Sequence, residues 1–140
     1  KATVYDDYGH HPTEIEMTLR ALRAAELPKR LVCVFQPHQH SRTRFLLNQF
    51  AQSFSSADEV IVPHIYFVRD SVVEQQRISA QDLVDKLIDQ GVSAKNINDF
   101  DDITSHLLTT ARDGDLIVIM GAGPVTSIAH SLIDQAKVTQ

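Results

Sequence analysis

Apolar positions in this chain fall into short unbroken runs and spaced stripes that alternate from one end to the other. Residues 2–5, 30–35, 59–62 and 116–120 read as strands. Leu31 to Phe35 and Leu116 to Met120 are continuous apolar runs, the pattern of strands buried on both faces. Between the runs the spacing changes to three and four. Ile15, Leu19 and Leu22 stripe a helix over 13–26, with Thr13 and Glu16 as its expected capping box and Leu27-Pro28 as its end. Leu47, Phe50 and Phe54 do the same for a helix over 43–54. Ser79 and Asp82 cap a third helix whose inner face is Ala80, Leu83, Val84 and Leu87, and Gly91 stops it. A weaker strand is expected at 96–100. A helix carrying Ile103, Leu107 and Ala111 follows, and a last helix to about residue 136 carries Ile128, Leu132 and Ile133. The stretch 64–78 reads as a long connection of mixed signals.

Strand and helix alternate throughout, which favours a mostly parallel sheet with helices on both faces, a three-layer Rossmann-like α/β fold. The 140 residues suit one domain, and 43% hydrophobic residues suffice for its core. A net charge of −5 supplies no basic field, so nucleic acid is not an expected partner. No apolar stretch approaches the roughly 20 residues that cross a bilayer. The lone Cys33 excludes a disulfide framework and fits a reducing compartment. The chain opens without methionine and almost directly on a strand, as expected of a domain cut from a longer protein.

Two loops gather reactive side chains. Asp6, Asp7, Tyr8, His10 and His11 follow the first strand, with Gly9 expected to ease the turn and Pro12 suited to the first helical turn. His38, His40, Arg42 and Arg44 follow the second strand. Both loops lie at carboxyl ends of strands, where open α/β sheets bind ligands. Carboxylates can hold ribose hydroxyls or magnesium, histidine can shuttle a proton, and arginine presents a fork that matches carboxylate or phosphate. The structural alternatives are helix-capping acids, a surface histidine pair and a solvated basic turn, with Arg44 facing water. The histidines match no standard zinc spacing. Gly121-Ala122-Gly123 has part of a dinucleotide fingerprint, but Thr126 stands where the third glycine belongs, and no strand follows. Those glycines are expected to allow a tight turn and close approach of a ligand or neighbouring domain. No G-x-x-x-x-G-K-[ST] loop is present. Cys33 reads as a small buried hydrophobe, and Tyr66 and Phe67 as either satellite core or an interface patch.

Val4-Tyr5-Asp6-Asp7-Tyr8-Gly9-His10-His11-Pro12-Thr13-Glu14 resembles a signature of the Mur ligases. Val34-Phe35-Gln36-Pro37-His38 through Ser41-Arg42-Thr43-Arg44 resembles that family's next motif, and Ala57-Asp58-Glu59-Val60 and Met120-Gly121-Ala122-Gly123 also fit. The resemblance is nearest to the branch that adds L-alanine to UDP-N-acetylmuramate. The branch that recycles murein tripeptide carries a different second motif. The resemblance implies the carboxy-terminal domain of a three-domain enzyme. The amino-terminal domain would hold the UDP sugar, and the central domain the P-loop and most ligands of Mg2+. This domain would close over ATP and present the amino acid. The implied reaction is ATP-dependent amide formation through an acyl phosphate, in bacterial cytoplasmic peptidoglycan synthesis.

Carried over by motif, Asp7 falls at the ATP ribose, Tyr8 and His10 at the amino-acid site, and Arg42 on the alanine carboxylate. His38 orients Arg42 or meets the substrate, and His11 is structural. The resemblance assigns no metal ligand and no catalytic group to this domain, which alone is expected to be inactive. Three departures bear on amino-acid affinity. Gln39 stands where the family usually has arginine, His40 replaces an aromatic and would compensate if protonated, and Pro124 replaces an aspartate. The loop from Tyr66 to Ser71 also differs from the common form. Two other classes fit the bare residues: a stand-alone metal-dependent hydrolase, and a non-catalytic nucleotide- or partner-binding module.

Overall fold

The structure, a computed structural model, describes residues 2–138. Its strands are β1 (Thr3–Asp7), β2 (Arg30–Phe35), β3 (Glu59–Val62), β4 (Ala94–Asn96) and β5 (Asp115–Met120). Its helices are α1 (Pro12–Glu26), α2 (His40–Phe45), α3 (Leu47–Ala51), α4 (Val72–Arg77), α5 (Ala80–Asp89), α6 (Phe100–Thr110) and α7 (Thr126–Val138). The strands form one five-stranded sheet in the order β1-β5-β2-β3-β4, with every pairing parallel.

The two apolar runs lie side by side at its centre. Alternate residues of each point to opposite faces, because side chains in a strand repeat every second residue. Leu31, Cys33 and Phe35 of β2, with Leu116, Val118 and Met120 of β5, pack with Ile15 and Leu19 of α1, Phe50 of α3, and Leu83, Val84 and Leu87 of α5. Val32, Val34, Ile117 and Ile119 pack on the other face with Ile103 and Leu107 of α6 and Ile128, Ala129 and Leu132 of α7. The expected three-layer architecture is therefore present. Cys33 lies fully inside, and burial pushes its thiol far above the ordinary value.

Four local expectations are corrected. First, β1 continues to Asp7, because Asp6 and Asp7 still pair with Ile119 and Met120 of β5. Second, α1 is capped one step before its proline. Pro12 takes the first helical position, so His11 becomes the N-cap, and the box is His11 with Glu14 rather than Thr13 with Glu16. Third, residues 40–51 form two short helices broken at Leu46, and the connection after β3 contains α4, capped by the Ser71 side chain. Fourth, the weak strand lies at Ala94–Asn96, where it pairs with β3. The Ser79–Asp82 box and the buried face of α5 are as expected, and Glu16 meets Arg20 at 3.5 Å on the outside of α1.

Register decides where the loops emerge. Asp7 pairs with Met120, and Phe35 pairs with the same Met120, so β1, β5 and β2 end in one row. The backbone stays stitched just beyond it. Gln36 N–H donates to the Met120 carbonyl at 3.1 Å, and Gly121 N–H to the Asp7 carbonyl at 3.1 Å.

Candidate functional site

The segments leaving that row converge. In the first, the Asp7 carboxylate accepts the Gly9 N–H at 2.7 Å through Oδ1. A Cβ on Gly9 would lie 2.8 Å from that oxygen, so glycine is needed here for space; its φ is not in the left-handed region. The tight turn lifts Tyr8 into solvent, 73% exposed, with its ring edge-on to His10 at 6.2 Å. His10 Nδ1 lies 3.3 Å from the Tyr8 carbonyl. His11 accepts the Thr13 N–H at Nδ1, while Glu14 accepts the N–H groups of His10 and His11. Those backbone donors hold the Glu14 carboxyl below its usual range. His11 is thus a capping residue. Asp6 also leaves the site: its carboxylate accepts the Thr126 hydroxyl and ties β1 to the start of α7.

The second loop meets a third. Tyr66 N–H donates to the Pro37 carbonyl at 2.9 Å, and Gln39 N–H donates to the Tyr66 carbonyl at 3.0 Å. These bonds extend the β2–β3 pairing past Pro63 and lay residues 64–71 along residues 36–42. The Asp70 carboxylate takes the Ser41 N–H at 2.9 Å, pinning the far end. Burial opposes charge on Asp70, but the N–H groups of Ser41, Ser71 and His40 outweigh it and hold its carboxyl below the usual range.

His38 sits in the middle of this arrangement. Its ring is 6.3 Å from His10 and 5.5 Å from Tyr66, and its Nδ1 is buried without a hydrogen-bond partner. Burial, reinforced by the charges of Arg42, His10 and Arg69, pulls the imidazole below its ordinary value, so it is neutral near pH 7. Arg42 bears on His38, and its guanidinium makes no hydrogen bond or ion pair among the described residues.

Ring contacts thus join Tyr8, His10 and His38, Arg42 acts on His38 by its charge, and Asp7 holds the turn beneath them. Other candidates are drawn off. Arg44 is exposed, as the solvated alternative expected, and also grips Glu74 of α4 through Nε at 2.9 Å and a terminal nitrogen at 3.0 Å. His40 is buried edge-on to Phe67 at 5.8 Å, and burial lowers its affinity for a proton against the pull of Asp70. Its Nδ1 lies 4.0 Å from the Asp70 carboxylate. Gln39 turns its side-chain amide to the Arg69 carbonyl at 3.5 Å. The glycines after β5 make room for the chain's own loops. A Cβ on Gly123 would strike the Tyr66 ring at 2.7 Å, and one on Gly121 would meet Val125 at 2.9 Å.

Tyr66 and Arg69 are the members that sequence reasoning missed. Tyr66 was visible only as an aromatic of undecided use, and Arg69 carried no signal of its own. Among the described residues, no group of three or more His, Cys, Asp or Glu side chains is placed to hold a metal ion. Asp7 Oδ2 has no hydrogen-bond partner among the described residues. No described helix is long and apolar enough to cross a membrane.

The sequence model for "Mur ligase, glutamate ligase domain" matches residues 1–123. A UDP-N-acetylmuramate–L-alanine ligase of Clostridium botulinum is 45% identical over 133 residues, 94% of this chain and 28% of the relative. A crystal structure of a murein peptide ligase from Psychrobacter arcticus matches 95% of this chain and 27% of its own, at 26% identity and a TM-score of 0.76. The fold is shared with a UDP-N-acetylmuramate-alanine ligase from Thermotoga maritima at 20% identity and a TM-score of 0.74, over 99% of this chain and 27% of that one. The chain thus spans under a third of the length of the curated relative it matches.

Proposed function

The chain belongs to the Mur ligase family, and on that premise we propose that it is the carboxy-terminal domain of a longer enzyme that joins L-alanine to UDP-N-acetylmuramate. One observation carries the reading: Asp7, Tyr8, His10, His38 and Arg42 stand together at the carboxyl ends of β1 and β2, with the Arg42 guanidinium unpaired. In this reading ATP, bound with magnesium mainly by a central domain, supplies the phosphoryl group that activates the muramate carboxylate as an acyl phosphate.

This chain's residues position the second substrate. Arg42 takes the alanine carboxylate as a charge-assisted fork. His38, held neutral, accepts the proton that the alanine ammonium must shed before its nitrogen attacks the acyl carbon and phosphate leaves. Tyr8 and His10 form the wall beside it, and Asp7 reaches a ribose hydroxyl of the nucleotide. Holding the amine against the activated carbonyl replaces a bimolecular encounter with a positioned one, which is worth several kcal/mol of barrier. Closure of this domain on the rest of the enzyme would keep water from the acyl phosphate. The proposed setting is the bacterial cytoplasm, and the proposed partners are the amino-terminal and central domains of the same protein.

The test is a ligation assay with the full-length protein, UDP-N-acetylmuramate, ATP and L-alanine. The expected result is alanine-dependent release of ADP and phosphate, with one amide formed per ATP. Transfer of a tripeptide in place of alanine, or amide formation without ATP, would overturn the reading. The 140-residue chain alone, lacking a P-loop, is expected to show no turnover.

A further inference from the structure

Arg69 lies on the connection after β3, outside both loops that the motifs mark, yet its charge bears on His38 together with that of Arg42. Its place is fixed by backbone rather than by its own side chain. The Pro37–Tyr66–Gln39 bonds hold one end of the segment, the Ser41–Asp70 bond the other, and Gln39 reaches its carbonyl. Arg69 itself has φ of 46°, a left-handed conformation uncommon for a non-glycine residue and one that surrounding structure must impose. Among the described residues its guanidinium has no hydrogen bond and no acid partner. The nearby carboxylate of Asp70 is already taken by backbone N–H groups.

Two guanidiniums with no partner among the described residues thus belong to segments docked beside His38, whose ring lies 5.5 Å from Tyr66 and whose Nδ1 is buried and unpartnered. That combination matches a zwitterion, with a carboxylate for the cations and an amine for the base. A phosphate group would match the cations but has no proton-bearing amine to offer His38. We propose that Arg69 is a second arginine of the amino-acid carboxylate site, meeting the carboxylate together with Arg42 and setting the preference for substrates that carry one. The inference rests on the ligase reading above and deepens it.

The test uses the full-length enzyme with L-alanine and, in parallel, L-alaninamide, which keeps the amine and lacks the carboxylate. Arg69→Asn removes the cation while tolerating the left-handed backbone, and Arg69→Lys keeps a charge without the fork. In Arg69→Asn the KM for alanine should rise about ten-fold with the KM for ATP unchanged. The preference for alanine over alaninamide should fall by the same factor, and Arg69→Lys should recover part of it. A merely structural role would weaken both substrates alike, and that result overturns the inference. So does a rise in the KM for ATP with none for alanine, which would make Arg69 a phosphate ligand. Wild-type enzyme that fails to ligate alanine overturns the underlying reading, and the inference with it. An active wild type whose variants keep the alanine preference overturns the inference alone.

Discussion

At the amino ends of the strands, Arg30 of β2 and Asp115 of β5 meet at 2.7 Å, with the carboxylate side chain only 3% exposed. Asp115 also accepts the Arg112 N–H at 2.9 Å, and Arg30 donates to the Thr110 carbonyl at 3.1 Å. Beside them Asp58 takes both the Leu31 N–H and the Arg23 guanidinium. At the carboxyl ends of the same strands, Arg42 and Arg69 have no acid partner among the described residues, and His38 Nδ1 has no donor or acceptor. One end commits its charges to holding β2, β3 and β5 in place. The other pairs Arg44 with Glu74 but leaves Arg42 and Arg69 without an acid among the described residues. Unpaired cations beside a buried histidine contribute no visible bond to the fold, and on the proposed reading they are the charges that meet a ligand.

The largest effect is expected when a charge is removed from each end of the 140-residue chain and urea midpoints are compared. Breaking a buried ion pair from one side leaves the other charge uncompensated, so Asp115→Ala should cost about 3 kcal/mol. Arg42→Ala and Arg69→Asn should each change stability by no more than about 0.5 kcal/mol. Similar losses at both ends would mean that the carboxyl-end arginines hold the fold after all.

Asp7 divides its two oxygens within the site: one serves the turn, and the other has no partner among the described residues. In the full-length enzyme, Asp7→Asn keeps the bond to Gly9 and loses the carboxylate. The KM for ATP should rise about ten-fold, the scale of one hydrogen bond to a charged group, while the KM for alanine stays put. An equal change in both would point to collapse of the loop.

The smallest effect is a dependence of stability on pH. His38 and His40 are held below the ordinary histidine value chiefly by burial, so the unfolded chain binds protons more readily than the folded one. Their contribution is complete above the unfolded value of about 6.5 and is lost as pH falls through the lower folded values. Asp58, Asp70 and Asp115 are held below the usual carboxylate range, so their contribution persists until below about pH 4. Urea midpoints should therefore decline gently as pH falls below about 6.5 and steeply in acid. The double variant His38→Gln, His40→Asn should flatten the first decline. An unaltered profile would place the sensitivity in other histidines.

Much of this molecule is legible in its sequence for identifiable reasons. Leu31 to Phe35 and Leu116 to Met120 announce central strands because both faces must be apolar, and Ser79 with Asp82 announces α5 because capping is a local bond. The cap of α1 was displaced because histidine is an unusual N-cap, and the position of Pro12 alone decides the frame. The polar α4 lacked a stripe to betray it; none of its residues is buried. The site divides the same way. Tyr8, His10, His38 and Arg42 follow strands directly, so their meeting can be inferred from topology. Tyr66 and Arg69 join them through two backbone bonds between segments nearly thirty residues apart, and no pattern along the chain reports such a bond.

The most direct test of the account is steady-state kinetics of the full-length Arg42→Ala enzyme with alanine and ATP varied separately. Loss of a charge-assisted fork worth about 1.5–3 kcal/mol predicts a KM for alanine raised roughly ten- to a hundred-fold, with the KM for ATP within about two-fold of wild type. A KM for alanine that does not move would remove Arg42 from the amino-acid site and contradict the account.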